Sequence, residues 1–318
     1  MRNFPVFIVL CFIAACSTGD NTESKIAKIE MEPVVKRFDR VFSGATPEQL
    51  PGLKRAYPYL FPERFPDSVW INRMRDTLQR ALAAEVGKRF PDFTREREEL
   101  RSLFQHVKYY FPEFKAPEIV TVISDVDYAN KVIYADSLLL ISLDTYLGED
   151  HYFYEGIQQY LKKNFTGAQI PVDAASEIAR NRIAPPRNQT FLAQMVYYGK
   201  VLYMKDLWLP AATDAEKIGY TEEELRWTEA NEGDIWRYFV ERELLFATDT
   251  KLRERFINEA PFSKFYLGFD NESPGKTGRY IGWQIVRGYM ENNTVSLQQL
   301  LNAPADKIFY ESGFKPRR

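Results

Sequence analysis

The sequence predicts an α+β fold, mostly helical, with a small central sheet at about residues 118–143 packed by helices. Two observations predict it. The β-branched and aliphatic runs EIVTVIS (118–124), KVIYAD (131–136) and SLLLISL (137–143) crowd together in mid-chain. Outside them apolar residues recur at helical spacing. Strands gathered in one block, with no internal repeat, point to α+β and not to an alternating parallel sheet.

From the start of the chain, residues 1–15 read as a signal peptide. Arg2 precedes the apolar run FPVFIVLCFIAA, which is too short to cross a bilayer core of about 30 Å. The run ends Ile13-Ala14-Ala15-Cys16, which resembles the bacterial lipobox. That resemblance implies diacylglycerol on the Cys16 sulfur and cleavage just before it. Residues 16–28 then read as the lipidated cysteine and a flexible tether, because STGDNTESK holds no apolar residue. Residues 29–318 read as a single globular domain. With Cys11 lost in the signal, no disulfide can form within the mature chain. A formal net charge of −2 gives no overall electrostatic case for nucleic acid.

The segment around Val34–Phe42 leads into the fold. YPYLFPERFPDSVW follows, with Pro58, Pro62 and Pro66 at a spacing of four; prolines so frequent exclude a helix interior and predict an extended, packed connection. Asp67-Ser68 should cap a helix whose face carries Trp70, Ile71, Met74, Leu78, Leu82 and Val86. A second helix is expected at about 94–111, ended by Pro112. Asp125 to Asn130 form the polar turn between the first two strands. Beyond the sheet, helices are expected at about 173–181, 187–206, 222–248, 251–259, 277–292 and 296–302. Aromatic residues make up 15% of the chain. In YPYLFPERFPDSVW and PFSKFY…GRYIGW they are expected either to cap the core or to offer partner surface, and the burial of Trp70, Tyr280 and Trp283 decides between the two.

Chemistry-bearing motifs are few. His106 and His151 are the chain's two histidines, 45 positions apart, and no HExxH pairs them. A zinc hydrolase needs two or three such ligands with a position left open for water. There is no G-x-S-x-G elbow and no P-loop; SPGKTG (273–278) has the wrong spacing and reads as a helix N-terminal turn. No catalytic residue, cofactor or metal is therefore expected.

The lipobox, YPYLFPERFPDSVW, DTYLGED, YYGKVLYMKDLWLP, ANEGDIWRYFVERELLFATD, APFSKFY and GRYIGWQIVRGYM together resemble the gliding-motility lipoprotein GldB family of the Bacteroidota. The resemblance implies a non-catalytic envelope lipoprotein that is anchored in the membrane through Cys16 and placed at the outer membrane facing the periplasm. Its implied partners are proteins of the gliding and secretion apparatus. Metal-independent hydrolysis and ligand binding are the alternatives. A more distant resemblance is to predicted zinc peptidases with a gluzincin-like fold, in which one helix carries HExxH and the next carries Glu-Gly-x-Ala. The first motif falls on Ser176-Glu177-Ile178-Ala179-Arg180 and the second on Tyr198-Gly199-Lys200-Val201. Glu177 and Gly199 match, whereas Ser176, Arg180 and Tyr198 replace the metal ligands. A degenerate zincin-like fold without metal is implied, with Arg180 free to pair with Glu177. Plain helix packing is the alternative for this region, Gly199 then merely permitting a close helix approach.

Overall fold

Side-chain alternation along three short strands sets the layering of the N-terminal half. The computed structural model describes residues 18–268 and 270–317; the expected signal peptide and Cys16 lie outside the described residues. The elements run α1 (Thr18–Ile26), β1 (Val35–Lys36), α2 (Phe38–Ser43), α3 (Leu50–Ala56), α4 (Asp67–Arg75), α5 (Thr77–Arg89) and α6 (Thr94–Tyr110). Then come β2 (Glu118–Val122), β3 (Val132–Ala135), β4 (Leu138–Ser142), α7 (Gln159–Lys162), α8 (Ile170–Arg182) and α9 (Phe191–Trp208). The chain closes with α10 (Asp214–Ile218), α11 (Glu222–Ala230), α12 (Glu232–Glu241), α13 (Lys251–Phe256), α14 (Thr277–Asn292), α15 (Leu297–Asn302) and α16 (Ala305–Glu311). This is the α+β architecture, mostly helical around one small sheet.

The sheet has the order β1-β2-β4-β3. β1 and β4 run parallel to β2, and β3 returns antiparallel on β4. Ile119, Leu139 and Ile141 point to one face, against α6 and α8. Val120, Leu138 and Leu140 point to the other, where they meet Phe38, Leu53 and Met74. Helices therefore cover both faces, and the period-2 alternation separates two cores. The turn after β2 is pinned by the buried Asp144 carboxylate, which accepts hydrogen bonds from the backbone N–H groups of Ser124 (3.1 Å) and Val126 (2.7 Å).

The helical half is organised by α9 and α14. A Cβ added to Gly199 would overlap the Gly282 carbonyl, and one added to Gly282 would overlap the Met195 carbonyl. The two backbones thus touch where they cross. Trp283, Ile281, Met195 and Phe239 fill the third core around this crossing.

Three expectations are corrected and one open alternative is decided. Residues 18–26, expected as tether, form α1; Ile26 is buried and Glu23 approaches His106 Nε2 at 3.2 Å. One apolar anchor and one polar contact dock the segment despite its polar composition. The 67–86 helix is two, because Asp76 caps α5 by accepting from Leu78 and Gln79 N–H, which leaves Leu78 exposed. The 222–248 helix breaks at Asn231, whose amide bonds the Trp227 carbonyl (2.8 Å), and ends near Glu243 with its positive φ. The late aromatic segment is not partner surface in its GRYIGW half, since Tyr280 and Trp283 are buried. Trp70 is half-buried, and with the exposed Tyr59 and Phe65 it lines an apolar groove of about 380 Å³.

An alanine in place of a helical glycine ordinarily stabilises by up to about 1 kcal/mol. Gly282→Ala should instead cost about 2–4 kcal/mol in urea denaturation, because overlap at a backbone contact cannot relax by rotamer change. Gly87→Ala in α5, where a Cβ meets nothing within 4 Å, should stabilise by about 0.5–1 kcal/mol. Equal responses of the two variants would contradict the packing described.

Candidate functional site: a charged cleft

The residues singled out on α8 face a cleft of about 240 Å³ between the sheet half and the helical half. Asp173, Ser176, Glu177 and Arg180 follow at i, i+3, i+4 and i+7, so they share one side of α8. That side forms one wall of the cleft. Lys205 of α9, the Ile218–Gly219 turn after α10, and Lys276 and Arg279 at the start of α14 form the opposite wall. Tyr128 and Lys131 stand at the sheet side, and Glu259 is at a more open position.

Most of these charges are locally matched. Lys131 Nζ lies 2.5 Å from Asp173 Oδ2, which also accepts from the Tyr146 hydroxyl at 2.8 Å. Arg180 and Glu177 pair at 2.5 Å. Lys276, buried, lies 3.1 Å from Glu259 and donates to the carbonyls of Ile218 (3.0 Å) and Gly219 (3.3 Å). Arg279 reaches the same carboxylate at 3.4 Å and lies over the Tyr198 ring. Desolvation opposes ionisation of Glu259, but these two cations outweigh it and bring its pKa down to about 2. Burial lowers the pKa of Lys276 against the pull of Glu259.

Lys205 differs from its neighbours. Its ammonium is buried and donates to the Lys217 carbonyl at 2.7 Å. Among the described residues it is the one cation lining this cleft with no carboxylate within 4 Å. Desolvation brings its pKa down to about 7, with Arg180, Lys276 and Arg279 adding repulsion and Asp173 opposing. The acceptor is itself held: Lys217 Nζ lies 3.1 Å from Asp206, which Arg287 grips with two bonds of 2.8 Å and Trp283 Nε1 with a third.

The structure therefore brings Ser176, Glu177 and Arg180 together in the cleft. Tyr198 stands behind Arg279, and Gly199 lies in the α9–α14 contact. Glu177 pairs with Arg180, as its spacing allows, and the Ser176 hydroxyl donates to the Val172 carbonyl of its own helix (3.0 Å). His106 and His151 lie elsewhere: His106 Nδ1 is 2.8 Å from the Ser102 carbonyl, and His151 Nε2 is 3.5 Å from Glu85. Among the described residues no group of three or more His, Cys, Asp or Glu side chains could hold a metal ion. Lys205 and Lys276 were not read from the sequence, although a lysine inside the apolar run KVLYMKDLW is itself a signal for a buried ammonium.

Residues 19–316 match the family described as gliding motility protein GldB. The chain belongs to the GldB family. No curated protein and no solved structure matches it. The GldB family match covers both halves of the fold and so both walls of the cleft. Among the described residues no helix is long and apolar enough to cross a membrane.

Lys205 carries a pH-dependent cost. Its pKa falls from 10.5 unfolded to about 7 folded, so between these values the unfolded chain binds more protons. Stability must then rise with pH across that window, and the full penalty applies below it. Lys205→Met should therefore be more stable than the parent chain at pH 6, on the order of a few kcal/mol at about 1.4 kcal/mol per pKa unit. The advantage should shrink toward pH 10. Urea midpoints at the two pH values check this, and a difference independent of pH would refute it.

Proposed function

We propose that this chain is a cell-envelope lipoprotein, acylated on Cys16 and held at the outer membrane facing the periplasm. There it serves as a non-catalytic component of gliding motility and the associated secretion machinery, in contact with other envelope proteins. The observation that carries this reading is the GldB family match over residues 19–316. The ending Ile13-Ala14-Ala15-Cys16 supports the anchor, since stable membrane attachment by lipid takes more than one acyl chain.

The non-catalytic part is supported by the cleft's own side chains. A serine hydroxyl, a guanidinium and a phenol at Ser176, Arg180 and Tyr198 are not a donor set that holds zinc. Glu177 in the general-base position is engaged by Arg180 at 2.5 Å. A lone carboxylate does little with water that no metal has acidified. Of these three positions only Arg180 carries a charge, and Glu177 neutralises it.

The test is complementation in a gliding host that lacks this gene. Glu177→Gln should restore gliding as the parent chain does. Cys16→Ala should lose palmitate labelling, appear in the soluble fraction and fail to restore movement. A Glu177→Gln chain that accumulates normally yet leaves cells immotile would overturn the non-catalytic reading. Undisturbed membrane fractionation and gliding with Cys16→Ala would overturn the anchor.

A further inference from the structure

We propose that the charged cleft is a binding site for a tetrahedral oxyanion, a phosphate or phosphate ester, received by Lys205 with Arg180 and Lys276 beside it. Three geometric observations converge on this. Lys205 presents a buried ammonium to a cavity of about 240 Å³ with one backbone carbonyl as its hydrogen-bond partner. An ammonium carries three N–H donors, so two remain for a ligand. The carboxylates Asp173, Glu177 and Glu259 on the walls are already held by Lys131, Arg180, and Lys276 with Arg279. The fourth acid, Glu216, is turned to the Thr213 N–H of its own capping box. The uncompensated charge in the cleft is thus positive.

Lysine ammonium groups are compact point charges suited to phosphate. Lys276 also stands at the N-cap of the 16-residue helix α14, whose first turn contributes positive partial charge on the same wall. A ligand of this charge would complete a set of donors that the fold otherwise holds apart at a cost.

The groups facing Lys205 set the pH dependence. Asp173 and Arg180 come from α8, Lys276 and Arg279 from α14, and Lys217 from α10. Empty, Lys205 gives up its proton near neutrality; an anion at 3 Å or so holds the proton on. Binding should therefore take up a proton and weaken as pH rises, close to tenfold per unit once above about pH 7. The inference is independent of the gliding role, and its failure would leave anchoring and complementation as proposed above.

The test is calorimetric titration of the full chain in detergent. Sulfate, whose charge is constant over the range, is titrated at pH 6.5 and 8.5 in buffers of different ionisation enthalpy. Inorganic phosphate and glycerol 3-phosphate are titrated at pH 7. Saturable binding with proton uptake is expected, roughly tenfold or more tighter for sulfate at pH 6.5 than at 8.5. Lys205→Met should weaken phosphate binding at least about tenfold. Arg180→Gln, on the partly exposed side of α8, should weaken it several-fold and serves if Lys205→Met does not fold. Lys88→Gln, which does not line the cleft, should change nothing. Tighter binding of glycerol 3-phosphate than of inorganic phosphate would assign the site to esterified headgroups, and the reverse to the free ion. No saturable binding of any of the three anions, or binding unchanged in both Lys205→Met and Arg180→Gln, would overturn the proposal.

Discussion

The contact on which the rest of this structure depends is the crossing of α9 and α14, where Gly199 and Gly282 let two helix backbones meet. Helix axes ordinarily stay about 8–10 Å apart because side chains intervene. Here a β-carbon at either glycine would collide with a carbonyl oxygen of the facing helix. Everything that flanks the crossing inherits its position. Six residues along α9 from Gly199 stands Lys205; three before Gly282 on α14 stands Arg279; and Trp283 and Arg287 reach back to Asp206. The positions of Lys205 and Arg279 in the cleft wall are therefore a consequence of how two long helices pack.

This arrangement also explains how so much charge survives inside the fold. Isolated buried ions are expensive, and removing one partner of a buried pair costs more than the pair contributes. Around α9 and α14 the ions come in shared sets: Asp206 serves Arg287, Lys217 and the Trp283 indole, and Glu232 serves the Tyr280 hydroxyl and the Arg317 N–H. Lys200 and Lys205 stand outside this scheme, bonded only to backbone carbonyls; that of Lys205 belongs to Lys217, which is tied into the Asp206 set. A group kept in an environment that penalises its charge, beside a cavity, is where function is most economically sought.

Much of this was legible in the sequence, and what was not has physical causes. The three main strands fell where β-branched runs demanded them, and α6 and α14 matched their apolar periodicity closely. The two-residue β1 carries no pattern of its own and exists through pairing with β2. Asp76 and Asn231 broke long helical stretches because their side chains satisfy backbone groups locally, a competition that periodicity does not register. In the cleft, Ser176, Glu177 and Arg180 were singled out by the resemblance to an HExxH helix, and the structure puts them on one side of α8. Lys205, Glu259 and Lys276 were not, since they meet only after α9, α13 and α14 have packed. The burial of Tyr280 and Trp283, left open between core and partner surface by the sequence, had the same origin: Gly282 brings GRYIGW against α9.

Amide hydrogen exchange on the native full chain tests the central claim that the α9–α14 crossing is the most stable element of the fold. If it is, peptides covering residues 192–204 and 279–289 should exchange slowest, at the rate of global unfolding. The sheet peptides at 118–142 should exchange no slower than these, and α15 and α16 well before them. Exchange in 192–204 and 279–289 as fast as in α15 and α16 would contradict the account, since the cleft would then rest on a contact that opens locally.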